Sequence, residues 1–151
     1  MNHTPNVLLV DDSENDLLLT RVAFKEAGFD IPLQEVHNGE EAIAYMKGEG
    51  PYSDRQKFPL PAVMLMDLNM PQKNGFDVLQ WVRAQPGLRR LPIIVLSASM
   101  HAADVERAFD LGANSYLVKP GTIQELIRMI RCLHDWLHYN QFPLLNDTVR
   151  K

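Results

Sequence analysis

The sequence has few of the features that mark several large classes of protein. Its one cysteine, Cys132, cannot form a disulfide within the chain, and apolar helical surroundings predict an inert, packed thiol. The apolar run near the N-terminus is broken by Asp11 and Asp12 and is too short for a signal peptide. No other run is long enough to span a membrane. We therefore expect a soluble, cytoplasmic protein with no membrane partner.

Basic patches, repeats and glycine-rich loops are missing too. The net charge is -4, and Lys and Arg are scattered among the acids, so nothing favours binding to nucleic acid. No glycine-rich phosphate loop follows the first apolar run, which argues against a dinucleotide site. The chain has 151 residues, of which 46% are hydrophobic, enough for one domain with a buried core. We predict a single domain over residues 1–151 and no output domain.

What the sequence does contain is an alternation of short apolar runs and segments with helical periodicity. The runs NVLLVDD, IPLQEVHN, AVMLMD, LPIIVLSA and SYLVKP predict five strands, each followed by a helix. Ser13 and Thr122 are predicted to cap the N-termini of the first and last helices. Gly28 and Gly112 are predicted to end the first and the fourth helix. Strict alternation of this kind predicts an α/β fold in which helices cover both faces of a parallel sheet.

Polar and charged residues stand where four of these strands end. Asp11 and Asp12 follow the first strand, Asp67 follows the third, and Ser97 and Lys119 end the fourth and fifth. Parallel strands bring these ends to one edge of the sheet, where open α/β sheets bind ligands. Clustered carboxylates raise a pKa or recruit a cation, and oxygen ligands suit Mg²⁺. A carboxylate beside Mg²⁺ can take up a phosphoryl group, whose oxygens the metal, Lys119 and Ser97 would hold.

Four stretches of the sequence resemble the signatures of a known family. LLVDDS, MLMDLNMPQKNG, IIVLSAS and YLVKP, in this order and each at a strand end, are similar to those of response-regulator receiver domains. The resemblance covers residues 6–140 and leaves a tail over 141–151. It implies the flavodoxin-like, doubly wound (βα)5 fold, with five parallel strands in the order 2-1-3-4-5. It also implies a two-component signalling protein that receives phosphate and is not an enzyme in its own right.

The resemblance assigns a role to each residue at the strand ends. Asp67 would accept a phosphoryl group from the phosphohistidine of a histidine kinase, and Lys119 would pair with that group. Mg²⁺ would be bound directly by Asp12, by Asp67 and by the backbone carbonyl of Asn69, and by Asp11 through water. The side chain of Asn69 would lie near the water that later removes the phosphate.

Further roles concern the response to phosphorylation. The Ser97 hydroxyl would move toward the phosphoryl group and Tyr116 would turn inward, which would alter the face made by the fourth helix, fifth strand and fifth helix. Output would then occur through protein–protein contact or as a phosphorelay. Pro71 and Gly75 would shape the loop after the acceptor, and the Lys119–Pro120 peptide bond would be cis.

Two segments suggest partners. The long loop over residues 48–61 and the extended last helix resemble those of single-domain receivers that pair with phytochrome-type or hybrid histidine kinases. On the last helix, Met129, Cys132 and Trp136 lie beside the apolar stripe and widen it. Either the tail over 141–151 covers this side, or a second copy of the chain does so in a homodimer.

Two other functions remain open from the residues alone. A haloacid-dehalogenase-type phosphatase also uses an aspartate at a strand end, but its Asp-x-Asp motif needs a second acid where Asn69 stands. A receiver-like binding module that is never phosphorylated is the other alternative. The complete set of acids argues against that module, because a module without phosphate would not need them.

Overall fold

Strands and helices alternate along the whole described chain, which in the computed structural model comprises residues 5–146. The strands are β1 (Val7–Val10), β2 (Leu33–Val36), β3 (Val63–Met66), β4 (Ile93–Ser97) and β5 (Ser115–Val118). The α-helices are α1 (Glu14–Glu26), α2 (Gly39–Lys47), α3 (Gly75–Arg83), α4 (Ala102–Asp110) and α5 (Ile123–Tyr139), and a 3-10 turn spans Gly50–Tyr52. Every strand and helix predicted from the sequence is therefore confirmed.

The five strands form one parallel sheet in the order β2-β1-β3-β4-β5, which confirms the flavodoxin-like topology. Val10, the last residue of β1, is aligned with Val36 on one side and with Met66 on the other. Met66 in turn is aligned with Val95 of β4. Because β1 and β3 end at the same level, the residues that follow them leave the sheet side by side at its carboxyl edge.

Alternate residues of the central strands pack on opposite faces of the sheet. Leu8 and Val10 belong to a first core cluster, which includes buried residues of α2, α3 and α4. Val7 and Leu9 belong to a second core cluster, which includes buried residues of α1 and α5. Both faces are covered, which explains why β1 and β3 are apolar throughout. Within residues 5–146, no helix is long and apolar enough to cross a membrane.

The helix ends follow the predicted capping chemistry. The Ser13 hydroxyl accepts a hydrogen bond from a first-turn N–H of α1, and the Thr122 hydroxyl does the same for α5. Gly28 and Gly112, which follow α1 and α4, have φ angles of 72° and 103°. These angles lie in the left-handed region that glycine adopts at little cost, so both glycines mark helix ends as predicted.

The loop between α2 and β3 is built against the end of α2. The Arg55 guanidinium donates to the carbonyls of Tyr45 and Met46, at 2.8 Å each, and to that of Phe58 at 3.2 Å. The rings of Tyr45, Tyr52 and Phe58 lie against one another, with centroids 5.2 to 6.0 Å apart. These contacts satisfy carbonyls that the last turn of a helix leaves free, so the loop stabilises the end of α2.

The side of α5 that carries Cys132 and Trp136 is only partly covered. Phe142 of the tail packs edge-on against Trp136, which remains 42% exposed. Leu145 packs against the first core cluster on the other face of the sheet, and Leu144 is 88% exposed. Of the three tail residues predicted to cover α5, Phe142, Leu144 and Leu145, only Phe142 does so. Cys132 is exposed rather than packed, because it points away from the buried stripe of α5.

Candidate functional site

Asp67 lies immediately after β3 at the carboxyl edge of the sheet and is 8% exposed. Its backbone N–H donates to the Val10 carbonyl, which ties it to the end of β1. One carboxylate oxygen accepts from the backbone N–H of Asn69 at 3.3 Å, and the other from the Lys119 ammonium at 3.3 Å. Burial is the largest influence on the pKa of the Asp67 carboxyl and raises it. Lys119 opposes this rise and Asp11 adds to it.

The Lys119 ammonium lies at the centre of the site. It donates to Asp11 at 2.9 Å, to Asp16 at 2.8 Å and to Asp67 at 3.3 Å, which uses all three N–H groups of the ammonium. Burial by itself would lower the pKa of Lys119. The hydrogen bonds to Asp16 and Asp11 and the charge of Asp67 outweigh burial, so this pKa lies above its ordinary value. The site therefore contains a permanent cation at neutral pH.

Three acids form what we call the acid cluster: Asp11, Asp12 and Asp67. Their oxygens lie within 4.8 Å of one another. Asp11 is buried, and its second oxygen accepts from the backbone N–H of Ser13 at 3.0 Å, whereas Asp12 is exposed to solvent. A donor set made only of carboxylate oxygens fits a hard divalent cation such as Mg²⁺. The residues predicted at the ends of β1, β3 and β5 are thus brought together as expected.

Asp16 also belongs to this site, although the sequence pattern did not predict it. Its position in the first turn of α1 suggested only a favourable interaction with the helix dipole. The available signal was the short connection between β1 and α1. Because α1 begins at Glu14, two residues beyond Asp12, its first turn lies at the carboxyl edge of the sheet with the acid cluster.

Ser97 and Tyr116 are connected through the loop between β4 and α4 rather than by direct contact. The buried Ser97 hydroxyl accepts from the backbone N–H of Ser99 at 3.2 Å. The Tyr116 hydroxyl donates to the Ser99 carbonyl at 2.9 Å, and its ring packs against the first core cluster. The Ser99 hydroxyl donates to Asp104 of α4 at 2.6 Å. Ser99 therefore joins β4, β5 and α4.

The loop after Asp67 is held close to the start of α3, and Gly75 makes this possible. A Cβ atom at Gly75 would lie 2.7 Å from the Asp67 carbonyl oxygen and 2.8 Å from the Cα of Leu68. The Gly75 N–H donates to the Leu68 carbonyl at 3.0 Å. The prediction that Gly75 shapes this loop is confirmed, since no other residue fits without displacing the backbone next to Asp67.

The predicted cis bond between Lys119 and Pro120 is wrong, because the described residues contain no cis peptide bond. The trans form is the lower-energy isomer of most X–Pro bonds, by about 0.5–1 kcal/mol. The Lys119 N–H donates to the Ser97 carbonyl at 2.8 Å, which continues the pairing of β4 and β5. Lys119 thus reaches the acids from a trans backbone.

The fold and the site together define a class of protein. A five-stranded parallel sheet of this order carries buried acids at the ends of β1 and β3 and a lysine at the end of β5. Residues 7–131 match the family model of the response regulator receiver domain. The chain belongs to this family and functions as a response regulator in two-component signal transduction. The receiver is a signalling domain.

Individual relatives agree with the family match over nearly the whole chain. The response regulator Rcp1 of Synechocystis sp. is 33% identical over 91% of this chain and 92% of its own length. A crystal structure of the response regulator RPA3017 in red light signaling of R. palustris shares 36% identity, with a TM-score of 0.87, and the match covers 92% of this chain and 98% of that one. The phosphorylated cyanobacterial phytochrome response regulator RcpA shares 30% identity over 93% of this chain and 99% of its own, with a TM-score of 0.84. The chain thus resembles single-domain and phytochrome response regulators.

Proposed function

We propose that Asp67 accepts a phosphoryl group from the phosphohistidine of a histidine kinase. The observation that carries this proposal is the buried Asp67 carboxylate, which lies in the acid cluster and 3.3 Å from the Lys119 ammonium. In the reaction the phosphorus–nitrogen bond of phosphohistidine breaks and a phosphorus–oxygen bond to Asp67 forms. The imidazole nitrogen leaves with the electron pair of the broken bond and takes up a proton from solvent.

The acid cluster would hold Mg²⁺, which when bound offsets the charge of the phosphoryl oxygens. Asp12 and Asp67 would bind the ion directly together with the backbone carbonyl of Asn69, and Asp11 would act through water. The exposure of Asp12 supports its role as a direct ligand, because a hydrated ion can reach its carboxylate from solvent. A structure of Rcp1 with bound Mn²⁺, 32% identical with a TM-score of 0.80, is in keeping with a divalent cation here.

Lys119 and Ser97 would receive the phosphoryl oxygens. The longest hydrogen bond of the Lys119 ammonium is the one to Asp67, so this N–H is the one most readily transferred to the new group. The Ser97 hydroxyl would exchange its bond to the Ser99 N–H for a bond to a phosphoryl oxygen. Because Ser99 also holds Tyr116 and α4, the exchange would rearrange the face formed by α4, β5 and α5. Output would follow through contact of this face with another protein, or as a phosphorelay.

We propose that the kinase docks on an exposed apolar surface of α1. Leu18, Leu19 and Val22 form what we call the α1 patch, and these side chains are 52%, 42% and 41% exposed. Helix α1 begins at Glu14, two residues beyond Asp12, so the α1 patch lies about one to two helical turns from the acid cluster. Exposed leucine and valine side chains on one helix suit a helical partner. The likeness to phytochrome response regulators favours a kinase of phytochrome or hybrid type.

A small phosphodonor tests the proposed function without the unknown kinase. We expect acetyl phosphate with Mg²⁺ to add one phosphoryl group per chain, and EDTA to prevent the addition, as read by intact mass. Phosphatase activity toward aryl phosphates would instead favour the haloacid-dehalogenase alternative. Absence of both labelling and Mg²⁺ binding would favour the unphosphorylated binding module.

We also propose a homodimer through Met129, Cys132 and Trp136 of α5. Trp136 is 42% exposed and Cys132 is exposed even though the tail packs nearby, so this apolar side is left for a second copy. Light scattering should give twice the 17.2 kDa mass of the chain. Trp136→Ser should give the mass of a monomer. Arg131→Ser, which changes an exposed residue elsewhere on α5, should still give the mass of a dimer. A wild-type monomer at all concentrations would contradict the dimer.

A further inference from the structure

We propose that Asp16 is a positioning residue for the site, a counter-ion of Lys119 that shifts the binding of cations and of phosphoryl groups in opposite directions. Its carboxylate lies 2.8 Å from the Lys119 ammonium, closer than Asp11 at 2.9 Å or Asp67 at 3.3 Å. Asp16 belongs to a helix, whereas the other two acids follow strands. It does not belong to the acid cluster, so it acts on the metal and the phosphoryl group through Lys119 and through its charge. The inference rests on the proposed function.

The first turn of α1 does not need the Asp16 side chain as a cap. The capping hydrogen bond runs from the backbone N–H of Asp16 to the Ser13 hydroxyl, at 3.2 Å, and leaves the carboxylate free to bind Lys119. Glu14 of the same turn provides a contrast. Its carboxylate lies 3.3 Å from His37 and is 74% exposed. Two acids of one helical turn are thus directed to different partners, and only one of them contacts the site.

The charges of the site determine what Asp16 does. Asp16 and the acid cluster together place four carboxylates against one ammonium. The negative charge of the Asp16 carboxylate attracts a divalent cation. The same carboxylate accepts a hydrogen bond from one of the three N–H groups of Lys119. The negative charge of Asp16 repels an incoming phosphoryl group. The Lys119 N–H that donates to Asp16 cannot at the same time donate to a phosphoryl oxygen. Asp16 should therefore strengthen metal binding and weaken phosphoryl binding.

Two binding measurements on Asp16→Asn test this inference. Asparagine keeps the shape of the side chain and removes its charge. A unit charge several Å away in a solvent-accessible site changes the binding constant of a singly charged ligand by about threefold, and that of a divalent ion by the square of this factor, roughly tenfold. We therefore expect Mg²⁺ alone, titrated by calorimetry, to bind roughly tenfold more weakly to Asp16→Asn than to wild type. Beryllofluoride, a stable mimic of the phosphoryl group, should bind roughly threefold more tightly at saturating Mg²⁺.

The matched control is Glu14→Gln, which removes one charge from the same turn of α1 but does not touch Lys119. It should leave both constants near the wild-type values. If Asp16→Asn weakened the binding of both Mg²⁺ and beryllofluoride, Asp16 would serve only to maintain the structure of the site, and the counter-ion role would be wrong. If Asp16→Asn matched Glu14→Gln, the ion pair with Lys119 would have no effect on binding. Wild type that binds neither ligand would overturn the proposed function and this inference together.

Discussion

Asp67→Asn will not be phosphorylated, and labelling by acetyl phosphate will fall from one phosphoryl group per chain to none. The reaction needs a carboxylate oxygen that attacks phosphorus, and an amide is not a nucleophile of this kind. Every other acid near Lys119 remains in this variant, and the oxygen of the asparagine amide can still serve as the ligand that Asp67 would give to Mg²⁺. The loss of labelling would therefore report on the one atom that forms the bond.

The fold should survive this substitution, which makes the result simple to interpret. Asparagine has the shape of aspartate, and its side-chain oxygen can still accept from the backbone N–H of Asn69. Its NH2 group cannot accept from Lys119, but the hydrogen bonds of Lys119 to Asp11 and Asp16 remain. Burial raises the pKa of the Asp67 carboxyl, so the buried charge itself is unfavourable. We expect the unfolding midpoint of Asp67→Asn to equal or exceed that of wild type. Asp110→Asn, an exposed change at the end of α4, should be labelled normally, and full labelling of Asp67→Asn would refute the assignment.

The largest loss of stability is expected at Arg83, far from the acids. Its guanidinium donates to the carbonyls of Gly112, Arg89 and Leu91 and to the side chain of Asn114, at distances of 2.6 to 3.0 Å. Burial removes part of this guanidinium from water, which lowers its pKa. One side chain thus joins the end of α3 to the start of β4 and to the turn between α4 and β5. This anchors the far end of α4, while the other end carries the Ser99 loop.

Arg83→Met should reduce the free energy of unfolding by about 3 kcal/mol, because it leaves several backbone carbonyls without a donor. Arg83→Lys should lose most of the same stability, since an ammonium cannot reproduce the planar fork of the guanidinium. Urea denaturation measures both changes. Arg89→Met, a nearby substitution of an exposed arginine, should change stability by less than about 0.5 kcal/mol. Equal effects of Arg83→Met and Arg89→Met would show that the hydrogen bonds of Arg83 contribute little.

The fold and the acid cluster could be predicted from the sequence because both depend on local patterns. An apolar run bounded by Asp11 or Asp67 identifies a buried strand and its carboxyl end. Parallel pairing then brings those ends together whatever the remaining sequence is. The strand positions of Ser97 and Lys119 follow in the same way. Caps such as Ser13 were also predictable, since a cap concerns only one helical turn.

Features that depend on contacts distant in sequence were not predictable. Asp16 pairs with a lysine that lies 103 residues further along the chain, while its place in a first turn already has a sufficient local explanation. The exposure of Leu144 depends on the path of the tail between the two faces of the sheet. Exposure of Cys132 depends on which side of α5 meets the second core cluster. The trans bond at Pro120 reflects a small energy difference that flanking residues do not reveal.

The most direct test of the account is to locate the phosphoryl group chemically. Wild-type protein labelled with acetyl phosphate and Mg²⁺ would be reduced with borohydride, which converts an aspartyl phosphate into homoserine. The reduced protein would then be digested and sequenced by mass spectrometry. We expect homoserine at position 67 and unmodified aspartate at positions 11, 12 and 16. Homoserine at another aspartate, or phosphate that remains on a serine or a histidine, would contradict this expectation.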